Sequence, residues 1–179
     1  MVPSKTRDRI LAAAARQFAH TGFRGTSLHD IAVEVGCSKA TLLYHFDSKE
    51  AILVTLMEPA ARDFVELDTR LRQLDVEAAR EAAIEGFVDL VLRYRQEVAL
   101  IYDTARQLFQ QAPFEGYWPL VDNLTHVVAG RSTDPAARIS AEVLLAGIAA
   151  IVIDRDEERD ADLRPILVDV ARRALLPRT

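Results

Sequence analysis

Cysteine occurs once in the 179 residues, at Cys37, so no disulfide can close within the chain and a reducing compartment is expected. No early stretch joins a basic segment to an apolar run, which leaves no sign of a signal peptide. The longest apolar run, around Val143 to Ile153, is shorter than the roughly 20 residues a spanning helix needs, and it is rich in small side chains. The expectation is a soluble protein of the cytoplasm with no membrane partner. No segment alternates apolar and polar residues for long enough to make a half-buried strand. Histidine, cysteine and carboxylates do not gather at ligand spacing, so no metal is expected, and no motif implies a cofactor. The nucleophile–base pair or paired carboxylates of an enzyme do not stand out either. Low-complexity tracts and internal repeats are missing too.

Lysine is scarce, and its three copies, Lys5, Lys39 and Lys49, all lie in the first fifty residues. Those fifty carry seven Lys or Arg against five Asp or Glu, a balance of +2. The remainder carries fifteen against twenty-two, a balance of −7. The overall charge of −5 is therefore uneven. Such asymmetry points to a polyanion as partner of the N-terminal segment.

Apolar side chains are plentiful, at 50% of the residues. A chain this long buries roughly 70% of its unfolded surface. Nearly every segment reads at helical period, so the fold class expected is all-α, with about nine helices. The first runs from about Ser4 to His20, with Gly22 as a left-handed stop. Ser27 caps a second over about 28–35, with Asp30 placed for a capping box, and Gly36 ends it. A third covers about 39–46, and Ser48 caps a fourth that Pro59 should kink or split. Further helices follow at about 77–95, 97–111 and 116–129. Asp134-Pro135 starts the eighth, which reaches about Ile153, and the ninth stops before Pro177.

The stretch SKATLLYHF repays closer reading. On a helical wheel Leu42, Leu43 and Phe46 fall on one side, and Thr41, Tyr44 and His45 on the other, with Lys39 at the N-terminal edge. The helices at 28–35 and 39–46, joined by Gly36-Cys37-Ser38, form a helix-turn-helix. In that motif the second helix enters the major groove and the first braces across the backbone. An ordinary helical hairpin has the same outline.

The residues add something more specific. KTRDRILAAAARQFAHTGFRGTSLHDIAVEVGCSKATLLYHFDSKEAIL resembles the DNA-binding domain of the TetR family of transcriptional repressors. The match runs in order through F-A-x-x-G-F, T-S-x-x-D-I-A, G-x-S-K-x-T-L and H-F-x-S-K-E, over about residues 5–53. The resemblance implies a three-helix DNA-binding domain at 1–47 and a larger helical ligand-binding and dimerisation domain at 48–179. It implies DNA contacts from Thr26, Ser27, His29, Ser38, Lys39, Thr41, Tyr44, His45 and Lys49. Lys39 and Thr41 are the candidates for base edges, and Tyr44, His45 and Lys49 for positioning the backbone. The family usually has tyrosine where this chain has Leu43; the wheel puts Leu43 on the buried side and displaces the phenol to Tyr44.

The remaining two thirds resemble the family in layout. ISAEVLLAGIAAIVID is apolar nearly all round, and such a helix must be covered on every side. With the final helix it would close a four-helix interface between two copies, through Val143, Ala146, Gly147, Ala150, Ile166, Val170 and Ala174. The same pattern would also suit the internal core of a monomer. A two-fold pair sets its recognition helices about 34 Å apart, reading a pseudo-palindromic operator in double-stranded DNA. A small-molecule effector is expected among the middle helices, near Tyr102, Arg106, Phe109, Trp118 and Asp122. The competing readings are an enzyme, and a helical adaptor or ligand-binding protein whose helix-turn-helix does not bind DNA.

Overall fold

The structure is a computed structural model that describes residues 5–108 and 118–175, with side chains described for 5–101 and 118–175. Among the described residues the regular elements are nine helices, in line with the all-α expectation: α1 (Lys5–Gly25), α2 (Leu28–Val35), α3 (Lys39–His45), α4 (Lys49–Leu71), α5 (Val76–Arg93), α6 (Arg95–Leu108), α7 (Trp118–Val128), α8 (Pro135–Asp154) and α9 (Asp160–Leu175). They group into two compact units. The first holds the described residues up to Pro59, with the segment from Ala99; the second holds Ala60–Val98 and the residues from Trp118 onward.

In the first unit the inward stripes close on one another. Ile10, Ala13, Ala14 and Phe18 of α1 are buried, as are Ile31, Ala32 and Val35 of α2, Leu42 of α3 and Ile52, Leu53 and Met57 of α4. Each large apolar side chain so buried contributes about 1.5–3 kcal/mol. The first helix breaks at Gly22, where the sequence places its stop. Glycine takes φ 73° there, and helical backbone resumes as far as Gly25. The turn brings Phe23 back onto Phe18, with ring centroids 5.2 Å apart, so burial of Phe23 draws the chain into one more turn.

Gly36 ends α2 in the left-handed region, φ 72°. Its N–H donates to Val33 O, and Cys37 N–H donates to Ala32 O, both at 3.0 Å. These are the two bonds of a Schellman cap, which turns the chain tightly into α3.

In the second unit α5 is the hub, packed against α7, α8 and α9. Ile84, Val88, Val91 and Leu92 meet Ile148, Val152, Leu163 and Leu167 in one cluster. Ala79 and Ala83 meet Leu67, Leu71, Leu124, Val128 and Leu145 in another. The α4 segment of this unit adds polar ties. The buried carboxylate of Asp68 accepts from Asn123 Nδ2 at 2.6 Å and from Arg72 Nε at 2.7 Å.

Two expectations are corrected here. Pro59 does not split the fourth helix, which runs unbroken through it. The proline costs about 3 kcal/mol, and the buried side chains on either side, Leu53 and Met57 before it and Leu67 and Leu71 after, offset that. Secondly, α8 is longer in apolar terms than the run counted from Val143. By length and composition alone it could cross a membrane, with mean hydropathy 2.0 over 18 residues, because the helix starts at Pro135 and includes Ile139 and Ala141. Ala141, Leu145, Ile148, Ala149 and Val152 line its buried side, while Ile139, Val143 and Ile151 are exposed.

Candidate nucleic-acid interface

Caps at both ends of the turn set the second and third helices. Ser27 Oγ accepts from Asp30 N–H at 3.2 Å and donates to Asp30 Oδ2 at 2.6 Å, while Ser27 N–H donates to the same oxygen at 2.9 Å. The capping box expected from the sequence is thus complete. Those two bonds from Ser27 hold the Asp30 carboxyl below its ordinary range. Ser38 repeats the device for α3, its Oγ accepting from Thr41 N–H at 3.0 Å and sharing a hydrogen bond with Thr41 Oγ1 at 2.9 Å.

Glu34 braces α2 against α1, accepting from Gln17 Nε2 at 2.6 Å and Arg16 Nε at 2.8 Å. The Gln17 bond and then the Arg16 bond hold its carboxyl below the ordinary range. Arg9 adds a bond to Val35 O at 2.5 Å, and the Arg7 guanidinium lies 4.9 Å from the Phe46 ring centre. The seven-residue α3 is anchored on its inner side by the buried Leu42 and by Phe46 at its end, with its other face left open.

On that face the expected contacts separate. Lys39, Thr41 and Tyr44 are exposed, Tyr44 to 85%, and His45 is half-buried with its ring edge-on to Tyr44 at 5.3 Å. His29, Ser27 and Ser38 also reach the surface. Thr26 does not. It is 2% exposed, and its hydroxyl donates to Gly22 O at 2.9 Å and pairs with Thr21 Oγ1 at 2.8 Å. Lys49 is turned inward as well: Nζ donates to Phe23 O at 2.6 Å and Thr26 O at 2.7 Å and sits 4.3 Å from the Phe23 ring centre. These two side chains fasten the loop between α1 and α2, Thr26 through neighbours four and five residues before it and Lys49 across 23 or more residues that no local pattern links.

Leu43 corrects the wheel reading. It is 40% exposed, not on the buried side. Leu42 is wholly buried, and Phe46 has already left helical geometry at φ −144°, so the inward direction centres on Leu42 and Leu43 falls about 100° away from it. A wheel centred on Leu42 alone places it correctly.

Elsewhere, Tyr102, Arg106 and Phe109 lie outside the described residues where side chains are concerned. Trp118 is half exposed, and Asp122 pairs with Arg138 at 2.5 Å on the surface. A cleft of about 400 Å³ opens instead between α4 and α5, where Asp63, Glu66, Arg70, Asp89 and Arg93 contribute charge to its walls. There Asp63 accepts from Tyr94 Oη at 2.8 Å and Arg93 at 2.7 Å, and the Tyr94 bond chiefly depresses its carboxyl. The seven residues expected at a dimer interface are all exposed in the single chain.

Comparison with known proteins agrees with this geometry. The family model for bacterial regulatory proteins of the tetR family matches residues 10–56. The transcriptional regulator RutR of Escherichia coli K12 is 32% identical over 148 residues, 83% of this chain. That alignment spans 66% of RutR, just under two thirds of its length. IcaR of Staphylococcus aureus strain Newman, a negative transcriptional regulator of a biofilm operon, is 48% identical over 46 residues, 26% of this chain and 25% of IcaR. Among solved structures, a TetR-like regulator from Rhodococcus sp. RHA1 superposes with TM-score 0.69 over 98% of both chains at 24% identity, a likeness of fold. With its helix-turn-helix assembled from the matched residues, the chain belongs to the tetR family of bacterial regulatory proteins.

Proposed function

We propose that the protein is a sequence-specific DNA-binding transcriptional regulator, a repressor, acting in the cytoplasm as a homodimer on a pseudo-palindromic operator. The observation that carries this reading is the outward face of α3, where Lys39, Thr41 and Tyr44 stand exposed on a helix fixed from behind. Early residues on such a helix are the ones that reach base edges. Residues 1–47 form the reading domain, and 48–179 the ligand-binding and dimerisation domain. Repression draws support from IcaR, a negative regulator similar to the N-terminal residues. The exposed apolar side chains Ile139, Val143, Ile151, Ile166 and Val170 on α8 and α9 support self-association, since apolar surface of that extent is stabilised by being covered.

A small molecule would act by binding one arrangement of the dimer better than another. Candidate contacts remain Tyr102, Arg106, Phe109, Trp118 and Asp122, and the charged cleft between α4 and α5 is a second place for it. Trp118 is the chain's one tryptophan, so its fluorescence reports on the first set directly.

The test is selection from random duplexes by the full chain, followed by anisotropy against salt. A symmetric site should be enriched, and Lys39→Ala should weaken binding. A phosphate contact lowers the salt slope by about one on loss of the lysine, whereas a base contact relaxes specificity at one position by about 1–3 kcal/mol. No enriched sequence would end the proposal.

A further inference from the structure

The outer side of α3 carries more hydrocarbon than hydrogen-bonded reading alone requires. Leu42 is wholly buried, so the opposite pole of the helix falls between Ala40 and Tyr44, with Leu43 and Lys39 on one flank and Thr41 and His45 on the other. Ala40 is exposed, as are Leu43 and Tyr44, and at spacings of three and four they form one continuous apolar strip. Polar reach is reduced at the same end, because the Ser38 hydroxyl holds the Thr41 N–H and is bonded to the Thr41 hydroxyl.

In a major groove the apolar feature of a base edge is the C5-methyl group of thymine. Building on the DNA-binding reading above, we propose that Leu43 is a specificity-determining residue that packs against a thymine methyl in each half-site of the operator. Lys39 lies on the same flank and supplies the neighbouring polar contact. Packing of the two apolar groups removes both from water, which amounts to about a fourfold gain in affinity per methyl.

Uracil presents the same hydrogen-bonding edge as thymine without the methyl, so it isolates the contact. On a duplex selected by the full chain, each thymine is replaced one at a time by deoxyuridine and binding is read by anisotropy. At one position per half-site the wild-type chain should bind about fourfold more weakly. Leu43→Ala and Leu43→Gln, both tolerable at so exposed a position, should become indifferent to the change there and keep their response at every other position. Circular dichroism of each variant checks that the helices remain. If the wild-type chain binds every uracil duplex as tightly as the parent, or if both variants keep the same sensitivity, the methyl contact is overturned while DNA binding stands. If no duplex is enriched at all, the regulatory reading fails and this inference falls with it.

Discussion

Lys49 shows how a side chain of the right charge in the right segment can serve the fold instead of a ligand. Its ammonium has two of its three N–H groups donated to the carbonyls of Phe23 and Thr26, and its charge lies against the Phe23 ring. Hydrogen bonds from a charged donor to partly buried carbonyls contribute about 1.5–3 kcal/mol. Lys49→Met should therefore lower the thermal midpoint, read by circular dichroism, and leave the salt slope of DNA binding where it was. A slope that falls by about one with an unchanged midpoint would make Lys49 a phosphate contact and remove it from the core of the motif. Thr26 belongs with it, since its hydroxyl is used between Gly22 and Thr21.

At the scale of the element, α2 is held by two carboxylates that do different jobs. Asp30 closes the cap on its first turn, and Glu34 ties its last turn to Arg16 and Gln17 of α1. Both carboxyls titrate below their ordinary values, so each favours its charged form more in the folded chain than in the unfolded one. Their contribution is complete above the unfolded carboxylate range, about pH 4–4.5, and is lost as pH falls through the lower folded values. Wild type should thus melt above the Asp30→Asn, Glu34→Gln double variant at pH 6, with the gap closing toward pH 3. A gap that stays constant with pH would assign the difference to something other than these charges. Helix α3 depends on this brace, because seven residues are too few to hold helical geometry by themselves.

For the molecule as a whole, the apolar strip on α8 and α9 and the uneven charge both bear on assembly. Val143 is 68% exposed and Ile166 57%. A Cβ placed on Gly147 would meet nothing within 4 Å in the single chain, so room for a second backbone is left beside it. Val143→Glu should leave helix content unchanged and shift the light-scattering mass from that of two chains to that of one. The cause is the cost of covering an unpaired carboxylate with apolar surface. A mass that does not change, or a wild-type chain that is already single, would remove the α8–α9 pairing. The −7 balance after residue 50 adds to this picture, because it keeps polyanion binding with the N-terminal segment.

Local chemistry was enough to read the order of helices, the caps at Ser27 and Asp134, the turn at Gly36 and the family resemblance of the first fifty residues. Each depends on neighbours within a turn or two, where spacing and side-chain type decide the geometry. Other features depended on contacts distant in sequence. Lys49 faces inward because Phe23 and Thr26, more than twenty residues before it, accept its hydrogen bonds. Leu43 faces outward because Leu42, one residue before it, takes the wholly buried position. Pro59 stays within a helix because buried side chains on both sides hold it there. A wheel or a propensity records what a residue prefers, but only the packed chain determines which of two adjacent leucines is left on the surface.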